Sequence, residues 1–440
     1  MNPPELLAPA GTVNKLKYAL AYGADAVYAG MPRYSLRVRE NDFARLEQLE
    51  QGIQITHQAG KRFFLATNLT PHNNKLSTFM KDMEPIMELG PDALIMADPG
   101  LIMMVRERWP DTSIHLSVQA NTVNYASVRF WQSVGIKRVI LSRELSLEEI
   151  EEIRQRCPDI EIEVFIHGAL CIAYSGRCML SGYFNHRDAN QGSCTNSCRW
   201  KYDVKKTSTD ITGDVAVMPP AQTGDGQRHP LANETYVLEE KERPGEHLPI
   251  EEDENGTYIM NSRDLRAIEH VEHLVKIGVD SFKIEGRTKS HYYVARSTQV
   301  YRHAIEDAVA GRPFDASLLG KLEHLANRGY TDGFLKRHPS QDYQNYLEQQ
   351  SKMNLSRFVG EFRDYDAASG MAEVEVKNKF AVGDTMELVL PHGNQDFTLE
   401  HVEDLKGQSM REVPGGGYRV RIPLQPQDYA MGLLARYISQ

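Results

Sequence analysis

Residues 280–285 read DSFKIE, a short apolar-centred run followed over residues 292–310 by a helix-like stretch. Alone this is one more strand-and-helix pair; counted with what precedes it, it is the eighth. Seven earlier runs rich in Val, Ile, Leu and Phe lie at residues 5–8, 24–29, 62–68, 93–97, 114–119, 138–142 and 160–167. Helix-like stretches at 12–22, 42–59, 75–89 and 146–156 fall between them. Strands that are apolar throughout, alternating with amphipathic helices, mark parallel βα units covered by helices on the outer face. Eight such units predict an α/β fold, a closed (β/α)8 TIM-like barrel. A doubly wound open sheet would need a Gly-rich phosphate turn after the first strand, and residues 8–12 read APAGT instead.

The barrel is expected to span residues 1–312, with an insertion at 171–261 between the seventh and eighth strands. The second part of that insertion, residues 218–256, is rich in Pro, Gly, Gln and acidic residues, as a lid or a flexible excursion would be. Residues 313–355, with many Gln, Asn and Tyr, read as a connecting segment. From residue 356 to 440, short alternating runs separated by Gly, Asn, Asp and Pro turns predict a small C-terminal all-β barrel domain.

The chain has 440 residues, 41% hydrophobic and 25% charged, the balance of a globular protein. No apolar stretch approaches the roughly 20 residues that span a bilayer, so no membrane association is expected. The opening residues, MNPPELLAPAG, carry neither a basic segment nor a long apolar core, and the expected compartment is the cytoplasm. A net charge of -10 excludes a protein that coats nucleic acid indiscriminately, but not one with a local basic groove. Three short basic runs could supply one: Arg33, Arg37 and Arg39; Arg199, Lys201, Lys205 and Lys206; and Lys336, Arg337 and His338. Solvated surface is the commoner explanation for such runs.

Four of the five cysteines fall between Cys171 and Cys198, with Cys178 and Cys194 between them and Cys157 apart. Lasting disulfides are uncommon in a reducing compartment, which favours metal or redox chemistry for the cluster. Structural zinc prefers pairs of cysteines two to four residues apart; Cys194 and Cys198 fit that, Cys171 and Cys178 do not. Iron–sulfur loops tolerate wider spacing. Because loops after barrel strands sit at the C-terminal mouth, where active sites of this fold are built, the cysteines should border that mouth.

The same reasoning places the polar residues that end each strand around the mouth: Asn68, Asp98, Gln119, Asn121, Arg143, Glu144, His167, Lys283, Glu285 and Arg287. His167, Glu144 and Glu285 are the candidates for proton transfer and catalysis. Arg263, at the return of the insertion, and Arg287 are candidates to hold a carboxylate or phosphate, with Gln119 and Asn121 as further substrate-binding groups. Lys289 joins the two arginines as a third cation suited to such a group, with surface solvation as its competing explanation. A Cys171–His167 pair could serve a thiol protease, but four clustered cysteines exceed what one nucleophile needs.

The stretch EVFIHGALCIAYSGRCMLS, residues 163–181, resembles the signature of the collagenase-like peptidase family (U32). That signature is Glu-x-Phe-x-x-Gly-(Ser/Ala)-aliphatic-Cys-x4-Gly-x-Cys-x-aliphatic-Ser, and Glu163, Phe165, Gly168, Ala169, Leu170, Cys171, Gly176, Cys178, Leu180 and Ser181 meet every fixed position. ELLAPAG at the start, NSRDL at 261–265, KIEGR at 283–287 and the terminal β domain extend the resemblance over the whole chain. Some members are described as collagen-degrading proteases. Others carry a [4Fe-4S] cluster on these cysteines and hydroxylate ubiquinone precursors or RNA bases without oxygen. One barrel plus one β domain is most similar to the branch that hydroxylates wobble uridine of tRNA to 5-hydroxyuridine. The resemblance therefore implies a tRNA anticodon loop as substrate and prephenate as the hydroxyl donor. It implies cluster ligation by Cys171, Cys178 and Cys194; no cysteine follows Cys198, so Cys198 is the fourth ligand or the cluster has an open iron site. A peptidase, or a non-catalytic iron–sulfur partner in a modification complex, are the alternatives.

Overall fold

The structure, a computed structural model, describes residues 3–31, 33–36, 41–171, 173–181, 189–191, 194, 263–323, 325, 327, 329–336 and 355–438, with the backbone of short strands within 207–258. Eight parallel strands close on themselves: β1 (Glu5–Pro9), β2 (Ala26–Gly30), β3 (Arg62–Ala66), β4 (Ala93–Met96), β5 (Ile114–Leu116), β6 (Arg138–Ile140), β7 (Glu161–Ala169) and β8 (Ser281–Ile284). The closing pairs fix the register, with Lys283 opposite Leu7 of β1 and opposite Phe165 of β7. The eighth unit is thus the strand that shuts the barrel.

Helices cover the outside, and short polar residues set where they begin. Thr12 accepts from the Lys15 amide ahead of α1 (Val13–Ala21). Ser146 and Glu149 form a reciprocal capping box at α6 (Leu147–Arg156), reached after α2 (Leu46–Gln58), α3 (Asn73–Glu88), α4 (Pro99–Arg108) and α5 (Tyr125–Ser133). Asp98 caps α4 by accepting from the Leu101 amide at 2.9 Å, so its place at a strand end is structural. Beyond the insertion come α7 (Val271–Ile277) and α8 (His291–Val309), the second capped by Ser290. No helix among the described residues is long and apolar enough to cross a membrane.

Three features differ from the sequence reading. The run 114–119 does not stay extended: β5 stops at Leu116, and Val118–Ala120 forms a 3-10 turn ended by Asn121 in the left-handed region (φ 51°). A three-residue strand, Asp264–Arg266, pairs antiparallel with the end of β7, Arg266 opposite His167 and Asp264 opposite Ala169. Tyr330–Thr331 extends that pairing in parallel. The segment read as a connector contributes to the barrel body over its first half: helix α9 (Ser317–Glu323) buries Leu318 and Leu322 in the barrel core. Within the insertion, the described backbone forms antiparallel ladders, His247–Asp253 pairing with Tyr236–Glu239 and with Gly256–Tyr258.

The C-terminal residues form an antiparallel seven-stranded sheet around Val359, Phe362, Val374, Leu388, Val420 and Leu434. It docks on α8. Arg296 gives both carboxylate oxygens of Glu387 a hydrogen bond, at 2.8 and 2.7 Å, with the two side chains 2% and 3% exposed. Tyr292 stacks on Phe358, and Tyr22 donates to the Val389 carbonyl. Val389, Leu433 and Ala435 join the barrel's own apolar core, so the two layers share one interior.

Candidate active site at the barrel mouth

The barrel lumen is charged rather than apolar. Glu163 of β7 is fully buried and accepts from Lys283 at 2.8 Å, from Arg138 at 3.2 Å and from Ser281 at 3.3 Å. Arg138 also reaches Glu5 and, at the lower rim, Glu161. Two buried carboxylates and two buried cations therefore neutralise each other inside the barrel, the condition under which charges survive burial. Burial pushes the Glu5 carboxyl up against the opposing pull of Arg138 and Arg62, and it pulls the Lys283 ammonium below the ordinary lysine range against the pull of Glu163.

Above this network a cavity of about 70 Å³ opens at the C-terminal ends of the strands. Inward-facing Tyr28, Ala66, Ile95, Ile140, Phe165 and Lys283 form its floor. Asn68, Ser117, Gln119, Arg143, Glu285 and Arg287 form its polar wall, and Cys171 and Ser175 its rim. Arg143 lies 3.8 Å over the Phe165 ring and donates to the Ala169 carbonyl. Its Nε is buried without a hydrogen-bond partner among the described residues. Arg287 faces Tyr28 and donates to the Leu36 carbonyl; Tyr28 in turn donates to Glu285 at 3.0 Å. Gly30 makes room for this arginine, because a Cβ there would stand 2.0 Å from Arg287 Nη1 and 2.4 Å from Ser35 Oγ. A small chamber with cationic walls, a buried lysine and a thiol at its edge suits a small anionic molecule.

Of the residues singled out from sequence, Glu285, Arg287, Gln119 and Cys171 meet in this cavity, with Arg143, Lys283 and Asn68. Asn121 does not line it; its amide nitrogen donates to the Gln119 and Ser175 carbonyls and so ties the cysteine loop to the turn after β5. Glu144 accepts from Ser142 beside the mouth rather than in the cavity. Arg263 packs beside Gly329, away from Arg287's chamber. Lys289 pairs with Asp264 at 3.6 Å.

His167 lies elsewhere. It is 1% exposed and sits among Tyr293, Tyr301 and Tyr330, ring centroids 5.4–5.6 Å away, with Tyr301 Oη 3.3 Å from its Nδ1. Burial, then the nearby Arg266 and Lys289, push it down to about 3, so the ring is neutral. The register between β7 and β8 shifts at Lys283–Ile284, and this irregularity lies opposite His167. Sequence reading missed Tyr28 and Glu163 as site-forming groups; their signal was a large polar side chain at an inward position of an otherwise apolar strand.

Cys157, Cys171 and Cys178 are free thiols, and Cys171 and Cys194 are exposed. Cys198 lies outside the described residues. Thiolates are the donors that zinc and iron–sulfur groups take, so the donor chemistry fits such a group. Among the described residues, however, no three metal-binding side chains converge on one point.

Comparison with known proteins agrees across the chain. Residues 11–345 match the family model for Peptidase family U32, and residues 355–436 match the Peptidase family U32 C-terminal domain. The sequence is 58% identical over 444 residues to the tRNA hydroxylation protein P of Escherichia coli, covering 99% of this chain and 97% of that one. It is 53% identical to the Haemophilus influenzae protein of the same name, covering 97% and 94%. A protein named Collagenase from Porphyromonas gingivalis is 26% identical, covering 96% and 94%. Among solved structures, the U32 peptidase Mk0906 aligns with a TM-score of 0.37 at 12% identity, over 64% of this chain and 93% of that one.

Proposed function

The chain belongs to peptidase family U32, and from that premise we propose that it hydroxylates tRNA, converting wobble uridine to 5-hydroxyuridine. The observation that carries this is the 58% identity, over 99% of the chain, to a relative named tRNA hydroxylation protein P. We further propose prephenate as hydroxyl donor, a [4Fe-4S] cluster held by Cys171, Cys178, Cys194 and Cys198, and the cytoplasm as the compartment.

The chain's own residues have these roles. Arg287 and Arg143, which both line the cavity, hold the carboxylates of the small donor in bidentate geometry. Glu285, fixed by the Tyr28 hydroxyl, and Gln119 orient what lies between them. Burial under Cys171 and Ser175 limits water, which strengthens every one of these contacts. A cluster bound on the cysteine loop would supply Lewis-acid or electron-transfer chemistry at this rim. The anticodon loop presents its uridine unstacked, so the base can approach a rim without being pulled from a duplex. The β domain helps to position the RNA through phosphate contacts.

The peptidase reading needs a base beside a cysteine. His167, the histidine nearest Cys171 in sequence, is enclosed by tyrosines with its basicity suppressed by burial, so it does not serve Cys171 as a base; His186 lies outside the described residues. The test is nucleoside mass spectrometry of bulk tRNA from cells lacking the gene and any parallel oxygen-dependent route. Loss of 5-hydroxyuridine and its derivatives, restored by the wild-type gene, is the expected result. Unchanged levels would remove the tRNA reading and return collagen-like peptides to consideration.

A further inference from the structure

The cavity holds a group to which the proposed function gives no chemical step. Lys283 is the primary amine on its floor, 3% exposed, with its Nζ 4.4 Å from the Tyr28 ring centroid and 5.5 Å from that of Phe165. We propose that Lys283 is a covalent nucleophile: its amine condenses with the carbonyl of a 2-oxo carboxylate whose acid group is held by Arg287 or Arg143. This rests on the mouth cavity being the small-molecule site proposed above, but not on tRNA being the acceptor.

Three observations support it. The amine lies at the C-terminal end of a barrel strand, in a chamber that also contains two guanidinium groups suited to a carboxylate. About 70 Å³ admits some five water molecules, room for the few heavy atoms of an oxo-acid head group. A base stands ready, because Glu163 Oε1 is 2.8 Å from Nζ. Glu163 also accepts from Arg138 and Ser281, so its carboxylate stays partnered when the amine turns to a ligand. Burial lowers the lysine's affinity for its proton, which increases the fraction present as nucleophile.

The step balances without an added reagent. Glu163 takes one proton from the ammonium, and the freed amine attacks the carbonyl carbon to give a carbinolamine. Loss of its hydroxyl, protonated by Glu163, leaves a protonated imine and one water. The net change is ammonium plus ketone to iminium plus water, with no oxidant or reductant.

The experiment incubates the anaerobically purified full-length protein with pyruvate, and separately with phenylpyruvate, in the presence of cyanoborohydride. Intact mass and peptide mapping follow. The expected result is a single saturable adduct on Lys283 that is absent from Lys283→Arg and still formed by Lys276→Arg, an exposed lysine on α7. No adduct, or adducts spread evenly over surface lysines, overturns the proposal. Mapping on the wild-type protein decides the matter even where Lys283→Arg folds poorly. If trapping fails while loss of the gene still removes 5-hydroxyuridine, only the covalent step falls. If trapping succeeds while the tRNA is unchanged, the covalent step stands and the tRNA reading falls.

Discussion

Acidification should unfold this protein through His167 in a way that can be measured residue by residue. The ring is 1% exposed, boxed by three tyrosines and faced by Arg266 and Lys289, and these hold it down to about 3 against an ordinary value of 6.5. Above pH 6.5 the ring is neutral in both folded and unfolded chains, and its full contribution is present. As pH falls below 6.5, the unfolded chain gains a proton that the folded chain refuses, so stability is lost until pH approaches about 3. At 1.36 kcal/mol per unit, moving from pH 6.5 to pH 5 costs about 2 kcal/mol from this residue alone. Urea unfolding of wild type and His167→Phe at both pH values isolates it, because the phenyl ring fills the cage and does not titrate. His115, also pushed down by burial and by Arg138, contributes equally to both proteins and cancels in the difference. The variant should lose about 2 kcal/mol less than wild type over that interval. Parallel losses would refute the neutral, caged histidine.

Other consequences concern packing and the cavity. Glu387→Ala leaves Arg296 charged and buried at the docking surface, and should cost about 3–5 kcal/mol in chemical denaturation. Arg296→Met combined with Glu387→Leu should restore most of that loss; a single variant within 1 kcal/mol of wild type would show that the pair is solvated. Gly30→Ala drives a methyl group into Arg287 Nη1 and Ser35 Oγ, and should cost about 1–3 kcal/mol in stability while abolishing hydroxylation in the cellular assay. Gly176 has φ 74° and would place a Cβ 2.7 Å from Gln119 Oε1, so Gly176→Ala should lower the melting temperature measurably, whereas Gly60→Ala, with open space around it, should do so through backbone strain alone.

The barrel was legible because its strands are apolar over most of their length, the buried charges at Glu5, Arg138, Glu163 and Lys283 apart, and its helices carry ordinary caps such as Thr12, Ser146 and Ser290. What escaped was decided by tertiary contacts. The run through Val118 and Gln119 looks extended, yet Ser117 caps a 3-10 turn there and Asn121 takes a left-handed backbone. Asp264–Arg266 is too short to carry a periodic signal and is a strand only because the end of β7 offers unpaired backbone groups. His167, read as the last residue of its strand, lies two residues short of the end of β7, with the register shift opposite it and three tyrosines from α8 and beyond enclosing it. Arg263 and Arg287 look alike in sequence; only the closed barrel separates the one in the cavity from the one beside Gly329. Glu163 was visible only as a motif position, since nothing local reveals that Lys283, Arg138 and Ser281 converge on it.

That separation of the two arginines offers the most direct test of the central claim, that the chemistry takes place in the mouth cavity. Cells lacking the gene and any parallel route would be complemented with wild type, Arg287→Met or Arg263→Met at matched protein levels, and their tRNA nucleosides quantified by mass spectrometry. The account predicts that Arg287→Met fails to restore 5-hydroxyuridine while Arg263→Met restores it. Full restoration by Arg287→Met, or loss with Arg263→Met alone, would contradict it.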